Sequence, residues 1–298
     1  MHPTALFFGY MFASLVLAAL LAVPVLGSGV LDEEPARVLG RLAQVLMLLG
    51  LWPFLRMLAL ADRSNLGFAV PTERLRSQLL AGWLSGVAMM IAIVGLLLIT
   101  GARIFETWEP GWVLDLARTA LRALVAGLLI ALVEETFFRG ALFAAIRRRG
   151  TLLEAAGWSA ALYALVHFMK PHGLPDGMTA DAVGIAWMLG SVFTGLFDWH
   201  HLDSLFALWL AGVLLALLRE RTGSIVFGIG LHAGWVFVIQ TSRRLTDGVD
   251  HSAWAWLAGD YDGVIGWLAA AVLALAILLE RLTAGGDRAP EGLFRSGE

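Results

Sequence analysis

An all-α polytopic membrane protein is the fold class this sequence predicts, and three observations carry it. Hydrophobic residues make up 59% of the 298 positions and charged residues only 15%, whereas a soluble domain carries roughly a quarter charged residues. Mean hydropathy is +0.77. The apolar residues gather in runs of helical length, and none alternates as a barrel strand does.

Those runs fall at about 4–26, 38–61, 79–100, 116–146, 152–169, 183–199, 203–218, 223–240 and 263–280. A lipid core demands about 20 consecutive apolar residues. The first run is too long for the apolar region of a signal peptide, and no basic segment precedes it, so it reads as a retained first span. The run 183–199 is short and holds Gly184, Gly190 and Gly195, which suits a re-entrant or interfacial segment. Arginines mark the orientation. Arg56, Arg63, Arg74 and Arg76 surround the second loop, Arg147, Arg148 and Arg149 follow the fourth run, Arg219 and Arg221 precede Gly223, and Arg281, Arg288 and Arg295 lie in the tail. All of them share the cytoplasmic side only if 183–199 does not cross. The expectation is therefore about eight transmembrane helices plus one re-entrant or interfacial helix, with both termini inside. Asp32-Glu33-Glu34-Pro35 reads as a polar loop, and the tail after Leu282 as disordered.

Composition also excludes classes. A net charge of −3 without a basic block argues against a nucleic-acid partner. The absence of cysteine removes disulfides, thiolate metal sites and a cysteine nucleophile. Lys170 is the single lysine, an arginine bias compatible with a GC-rich bacterial genome.

Ionisable groups inside a span are costly and are functional candidates. The fourth run contains Glu134-Glu135-Thr136-Phe137-Phe138-Arg139-Gly140. Glu135 and Arg139 are four apart with the acid N-terminal, the better pairing orientation in a helix. Glu134 sits about 100° further round, so the economical reading is that Glu135 neutralises Arg139 while Glu134 stays available as a general base and acid. The competing reading is a structural ion pair. His167 ends the stretch Tyr163-Ala164-Leu165-Val166-His167, and His232 lies between Gly230 and Gly234, a small-xxx-small spacing that permits close helix approach. Either histidine alone also reads as a packing residue. At about 1.5 Å per residue, Glu134 lies roughly 20 Å from Arg147, His167 roughly 24 Å from the helix start near 151, and His232 roughly 14 Å from Gly223. If those ends share one face, all three fall in the middle third of a ~30 Å core.

Glu-Glu-x-x-x-Arg, then aromatic-x-x-x-His, then a later His resembles the CPBP family, the CAAX prenyl endoproteases and bacteriocin-processing (Abi) intramembrane proteases. The resemblance covers about 116–240, so 1–115 reads as N-terminal transmembrane helices, 116–240 as the catalytic core, and 241–298 as the last transmembrane helix and cytoplasmic tail. It implies an intramembrane endopeptidase in which Glu134 and His167 activate water, His232 stabilises the oxyanion, and Glu135 and Arg139 hold the helix. Tyr163 stands where the family usually has Phe, and Trp235 offers an indole N–H nearby; both are candidates for supporting contacts. Val236 replaces the asparagine often found four residues after the last histidine. The mechanism so implied needs no cofactor. Zinc held by Glu134, His167 and His232 is the alternative, and a transporter or accessory protein is the alternative from another class. The expected partners are a membrane-associated protein or peptide substrate and the lipid bilayer, and the expected location is the bacterial inner membrane. A wet cavity opening to the cytoplasm or sideways to lipid must enclose the substrate backbone. Three weaker motifs, Asp198-Trp199-His200-His201-Leu202-Asp203, Asp260-Tyr261-Asp262 and Gly190-Ser191, read as membrane-edge or loop polar groups.

Overall fold

The computed structural model describes residues 2–28, 33–108 and 110–284. The expected tail after Leu282 thus falls almost wholly outside the described residues, as does the start of the polar loop at Asp32. Helices dominate: α1 (Pro3–Gly27), α2 (Pro35–Met57), α3 (Thr72–Ile99), α4 (Trp112–Glu135), α5 (Phe143–Arg147), α6 (Leu152–His167), α7 (Ala182–Ser191), α8 (Leu202–Thr222), α9 (Val226–Leu245) and α10 (Trp267–Ala284). A π-helical segment, Thr136–Leu142, joins α4 to α5. The strands β1 (Arg103–Phe105) and β2 (Thr246–Gly248) form one short antiparallel ribbon with Ile104 opposite Asp247. The protein is an all-α polytopic membrane protein.

Among the described residues five helices are long and apolar enough to cross a membrane: Pro3–Gly27, Pro35–Met57, Thr72–Ile99, Trp112–Arg147 and Trp199–Thr222. Sequence reading gave about eight spans. Helices α6, α9 and α10 coincide with the other expected runs but do not join those five. Helix α6 has 16 residues, about 24 Å of rise. It stops at His167 instead of 169 because Pro171 follows, and a residue before proline is disfavoured in helical geometry. Helix α7 has 10 residues, about 15 Å, and so cannot cross a ~30 Å core. Asp181 starts it by accepting from the backbone N–H groups of Val183 and Gly184, each at 3.0 Å. The run 183–199 is thus divided between α7 and a short 3-10 turn at Thr194–Phe197, which suits the expected re-entrant or interfacial segment.

The chain forms two compact units, residues 1–61 with 161–199, and 62–160 with 200–298. In the first unit, Tyr10 stacks on Phe54 with ring centroids 4.3 Å apart, and Phe7 meets Phe54 edge-on at 5.0 Å, fastening α1 to α2. Small residues Ala18, Ala19 and Ala22 pack with Leu39, Ile185 and Met188, which draws in α7.

In the second unit α9 lies against α3 at glycine-limited distance. A Cβ added to Gly82 would stand 2.1 Å from the Phe227 carbonyl oxygen, and one on Gly86 2.1 Å from that of Leu231. Reciprocally, a Cβ on Gly230 would stand 2.1 Å from the Leu79 carbonyl oxygen, and one on Gly234 2.5 Å from that of Trp83. Two small-xxx-small pairs thus face each other, and backbone meets backbone where lipid offers no hydrophobic drive to association. On its other side α9 meets α4, where a Cβ on Gly127 would lie 3.0 Å from the Ala233 carbonyl oxygen. Apolar residues of α3, α8, α9 and α10, among them Ile93, Leu97, Leu214 and Val238, fill the core.

Replacing Gly230 by valine is expected to lower stability by about 1–3 kcal/mol or more, the usual cost of overpacking. Gly95→Ala, where a Cβ meets nothing within 4 Å, is expected to be neutral. Thermal denaturation in detergent micelles measures both, and equal midpoints would refute the close-approach account.

Candidate active site

The last residues of α4, Glu134 and Glu135, carry two carboxylates into the second unit, and the helix changes character immediately after them. Between Thr136 and Leu142 the hydrogen bonds widen to π spacing, with the Phe143 N–H reaching the Phe138 carbonyl five residues back. Such bulges inside α-helices are frequent at functional sites. Within this turn Gly140 lets the backbone approach Leu66, whose carbonyl oxygen would sit 2.9 Å from an added Cβ.

Glu135 is 1% exposed and Arg139 is fully buried. Arg139 Nη1 donates to Glu135 Oε1 at 3.1 Å, the pairing expected from their spacing of four. The same Oε1 lies 3.0 Å from His232 Nδ1. A carboxylate can only accept, so Nδ1 carries the proton and Nε2 is the other face of the ring. Nε2 lies 3.8 Å from Glu134 Oε2. One imidazole thus stands between adjacent carboxylates. The sequence argument turned Glu134 away from the Glu135–Arg139 pair, and it is; the structure adds that both acids converge on His232. The Glu134 side chain is 28% exposed against 6% for His232, so the first carboxylate alone of the pair reaches toward the surface. Its Oε2 is nonetheless buried, with no hydrogen-bond partner among the described residues. Room for the guanidinium comes from α8: a Cβ on Gly212 would stand 3.2 Å from Arg139 Nη2 and 2.7 Å from the Ala160 Cβ.

His232 reaches this position because α9 is held on its opposite face by Gly230 and Gly234. Trp235 packs in the apolar core with its ring 6.1 Å from His232, and its buried indole nitrogen has no hydrogen-bond partner among the described residues. Val236 points at α4, its Cγ1 3.5 Å from where a Gly127 Cβ would be. The position that often carries an asparagine is thus a packing contact here.

His167 belongs to the first unit. Its Nδ1 lies 2.7 Å from the Tyr163 carbonyl oxygen, and the two rings meet edge-on at 4.6 Å. A carbonyl accepts only, so in the neutral ring Nδ1 holds the proton and Nε2 the lone pair. Tyr163 is 2% exposed. Its substitution for the family phenylalanine leaves the carbonyl contact intact, because that contact is made by the backbone.

The weaker motifs resolve into local structure. Asp203 accepts from the Ser204 N–H at 2.6 Å, and the Ser204 hydroxyl donates to the Ile265 carbonyl at 2.6 Å. Among the described residues no group of three or more His, Asp or Glu side chains is arranged to hold a metal ion. Asp262 is not the solvated loop carboxylate expected: it accepts from the Val264 and Ile265 N–H groups at 2.9 and 2.7 Å, and burial pushes its carboxyl above the usual carboxylate range. Ser191 donates to the Met188 carbonyl at 2.7 Å and accepts from the His172 N–H at 2.9 Å. Sequence reading missed the π turn and the Glu135–His232 contact. Gly140 inside an apolar helix was the one available sign of the former; the latter had none.

Residues 116–238 match the model of the family described as type II CAAX prenyl endopeptidase Rce1-like. This match supports the resemblance to the CPBP family read from the sequence. Its boundaries enclose Glu134, Glu135, Arg139, Tyr163, His167 and His232, and they stop within α9. The family is one of CAAX-type intramembrane endopeptidases, and the protein is an integral membrane protein, with five helices among the described residues long and apolar enough to cross a bilayer. No curated protein and no solved structure matches the chain.

Arg139→Met removes the guanidinium and leaves the Glu135 carboxylate buried against His232 alone. Breaking a buried pair in this way costs about 3–5 kcal/mol, to be seen as a lower thermal midpoint in micelles. The double variant Glu135→Gln/Arg139→Met is expected to recover part of the loss. A single variant as stable as wild type would show that the pair contributes nothing.

Proposed function

We propose that the protein is a glutamic-type intramembrane endopeptidase, hydrolysing a peptide bond in a membrane-associated protein or peptide. The observation that carries this reading is the placement of Glu134 and Glu135 on either side of the His232 imidazole, inside the segment that matches the CAAX endopeptidase family.

The chemistry divides among these groups. Glu134 is the acid with an exposed side and an oxygen that no described residue hydrogen-bonds, so it takes the proton of the attacking water. The family resemblance also assigns His167 to the activation of water, and with its proton fixed on Nδ1 by the Tyr163 carbonyl its Nε2 is the accepting nitrogen. The water oxygen bonds to the scissile carbonyl carbon and the carbonyl becomes an oxyanion. Donors aimed at that charge are the largest single contribution in acyl transfer, and His232 supplies one through Nε2. For Nε2 to donate while Nδ1 stays bonded to Glu135, the ring must carry both protons; the Glu135 carboxylate offsets that charge. Glu134 then returns its proton to the departing amine. Glu135 therefore orients the catalytic histidine as well as pairing with Arg139. Val236 supplies no second donor, so oxyanion stabilisation rests more heavily on His232.

Zinc is the second reading. Histidines that bind zinc through one ring nitrogen almost always donate the other N–H to a carboxylate or carbonyl, and the His232–Glu135 and His167–Tyr163 contacts have that form. Glu134, His167 and His232 would be the ligands, although no group of three such side chains among the described residues is arranged to hold a metal ion. We favour the metal-free route because Glu134 is then the base that the hydrolysis requires. We further propose the bacterial inner membrane as the location, with the arginine-rich loops in the cytoplasm, and a membrane-proximal peptide segment as the substrate.

Cleavage of a reporter peptide fused to a membrane anchor, assayed in membranes, tests these assignments. Glu134→Gln is expected to lower the rate about 10²–10⁴-fold, the contribution of a positioned base, and His232→Ala about 10²–10³-fold, that of an oxyanion donor, both with normal expression. Undiminished cleavage by Glu134→Gln would sink the peptidase mechanism. A chelator is expected to leave the wild-type rate unchanged; loss on chelation with recovery on adding zinc would decide for the metal.

A further inference from the structure

A cavity of about 500 Å³ opens in the second unit well away from Glu134 and His232. It lies where β1, the start of α4 and the end of α9 come together. Asp115 in its wall is 19 residues from Glu134 along the same chain, about 28 Å of helical rise. Arg244 is 12 residues from His232, about 18 Å. These are the helix ends opposite the arginine cluster at 147–149, so the cavity sits where lipid headgroups meet water. Its location makes it independent of the peptidase reading.

Aromatic rings form one wall. Trp108 and Trp112 stack with centroids 4.3 Å apart, and Phe105 meets Trp108 edge-on at 6.3 Å. Carboxylates form the other: among the described residues Glu106, Asp115 and Asp247 line it with one guanidinium, Arg244. Arg244 Nη1 lies 3.1 Å from Glu106 Oε2 and Arg244 Nη2 3.9 Å from Asp115 Oδ2, while Arg118 Nη1 stands 3.5 Å from Asp115 Oδ1. The lining residues themselves carry three carboxylates to one guanidinium beside π faces, the combination that attracts an ammonium group. Below it Val113 and Leu114, 61% and 56% exposed, continue down α4 into the lipid-facing surface.

We propose that this cavity binds the headgroup of an ammonium-bearing phospholipid. The ammonium rests between the Trp108 and Trp112 rings and the Asp115 and Asp247 carboxylates. The phosphate meets Arg244, and the acyl chains run along Val113 and Leu114. The volume lies within the range of small-ligand pockets, about 300–1,000 Å³. A basic peptide segment would satisfy the charges but not the apolar track that leaves the cavity toward the membrane core.

The test uses the full-length protein in detergent micelles, titrated with short-chain phosphatidylethanolamine and followed by native mass spectrometry. Phosphatidylglycerol of the same chain length, free ethanolamine and a lysine-rich peptide are the comparison ligands. Phosphatidylethanolamine is expected to bind about tenfold tighter than phosphatidylglycerol, and Trp108→Leu or Asp115→Asn to reduce that preference about tenfold. Asp115 is 54% exposed in its side chain, so its substitution leaves folding intact, which an unchanged thermal midpoint confirms. Equal affinity for the two lipids, or a preference untouched in both variants, would overturn the proposal. Free ethanolamine or the peptide binding as tightly as the lipid would overturn it in favour of a soluble amine or a protein partner.

Discussion

A carboxylate in a helical bundle has no water to solvate it, so the protein must supply every partner the charge needs. Glu135 is in that position, and one of its oxygens receives two donors, the Arg139 guanidinium at 3.1 Å and the His232 imidazole at 3.0 Å. Much else in the second unit follows from keeping that oxygen supplied. The π turn sets Arg139 beneath Glu135, Gly212 clears space for the guanidinium, and the glycine contacts of α3 press α9 to where its histidine meets the acid. In a medium that strengthens charge interactions as much as it penalises unpaired ones, such an arrangement is stable only when complete.

The same contact separates the roles of two neighbouring glutamates. Glu135 is sealed in and committed, while Glu134 keeps an exposed side and an oxygen that no described residue hydrogen-bonds. Adjacent residues with identical side chains are thereby given unequal environments, the usual way a protein assigns distinct duties to a pair of carboxylates. The imidazole between them is oriented at one nitrogen and presented at the other. His167 receives a similar treatment by a different means, with a backbone carbonyl one turn earlier fixing its proton.

Helix-to-helix distance is the second constraint. Van der Waals contact and hydrogen bonds must hold a bundle together within lipid, and closest approach needs residues without side chains. Gly82 and Gly86 on α3 meet Gly230 and Gly234 on α9 for this reason. The site is thus anchored by residues that take no part in its chemistry. At the far end of the same helices the apolar character gives way to tryptophans and carboxylates around a cavity, so the unit carries its two polar features at different depths.

The membrane class, the approximate runs and the pairing of Glu135 with Arg139 were legible because they depend on composition and on spacing within one helix. The small-xxx-small motif around His232 was legible too, though not its partner, since Gly82 and Gly86 lie some 150 residues away in the chain. Helix ends were misjudged where polar residues extend a helix beyond lipid, as at Thr72–Arg76 and Arg243–Arg244, because hydropathy reports the bilayer and not the hydrogen-bonded helix. The contact of His232 with both glutamates, the π turn and the aromatic cavity were decided by tertiary structure alone. Local periodicity is written residue by residue in the chain. Which side chains share one oxygen depends on how separate helices are rotated and spaced, and only the packing of all of them sets that.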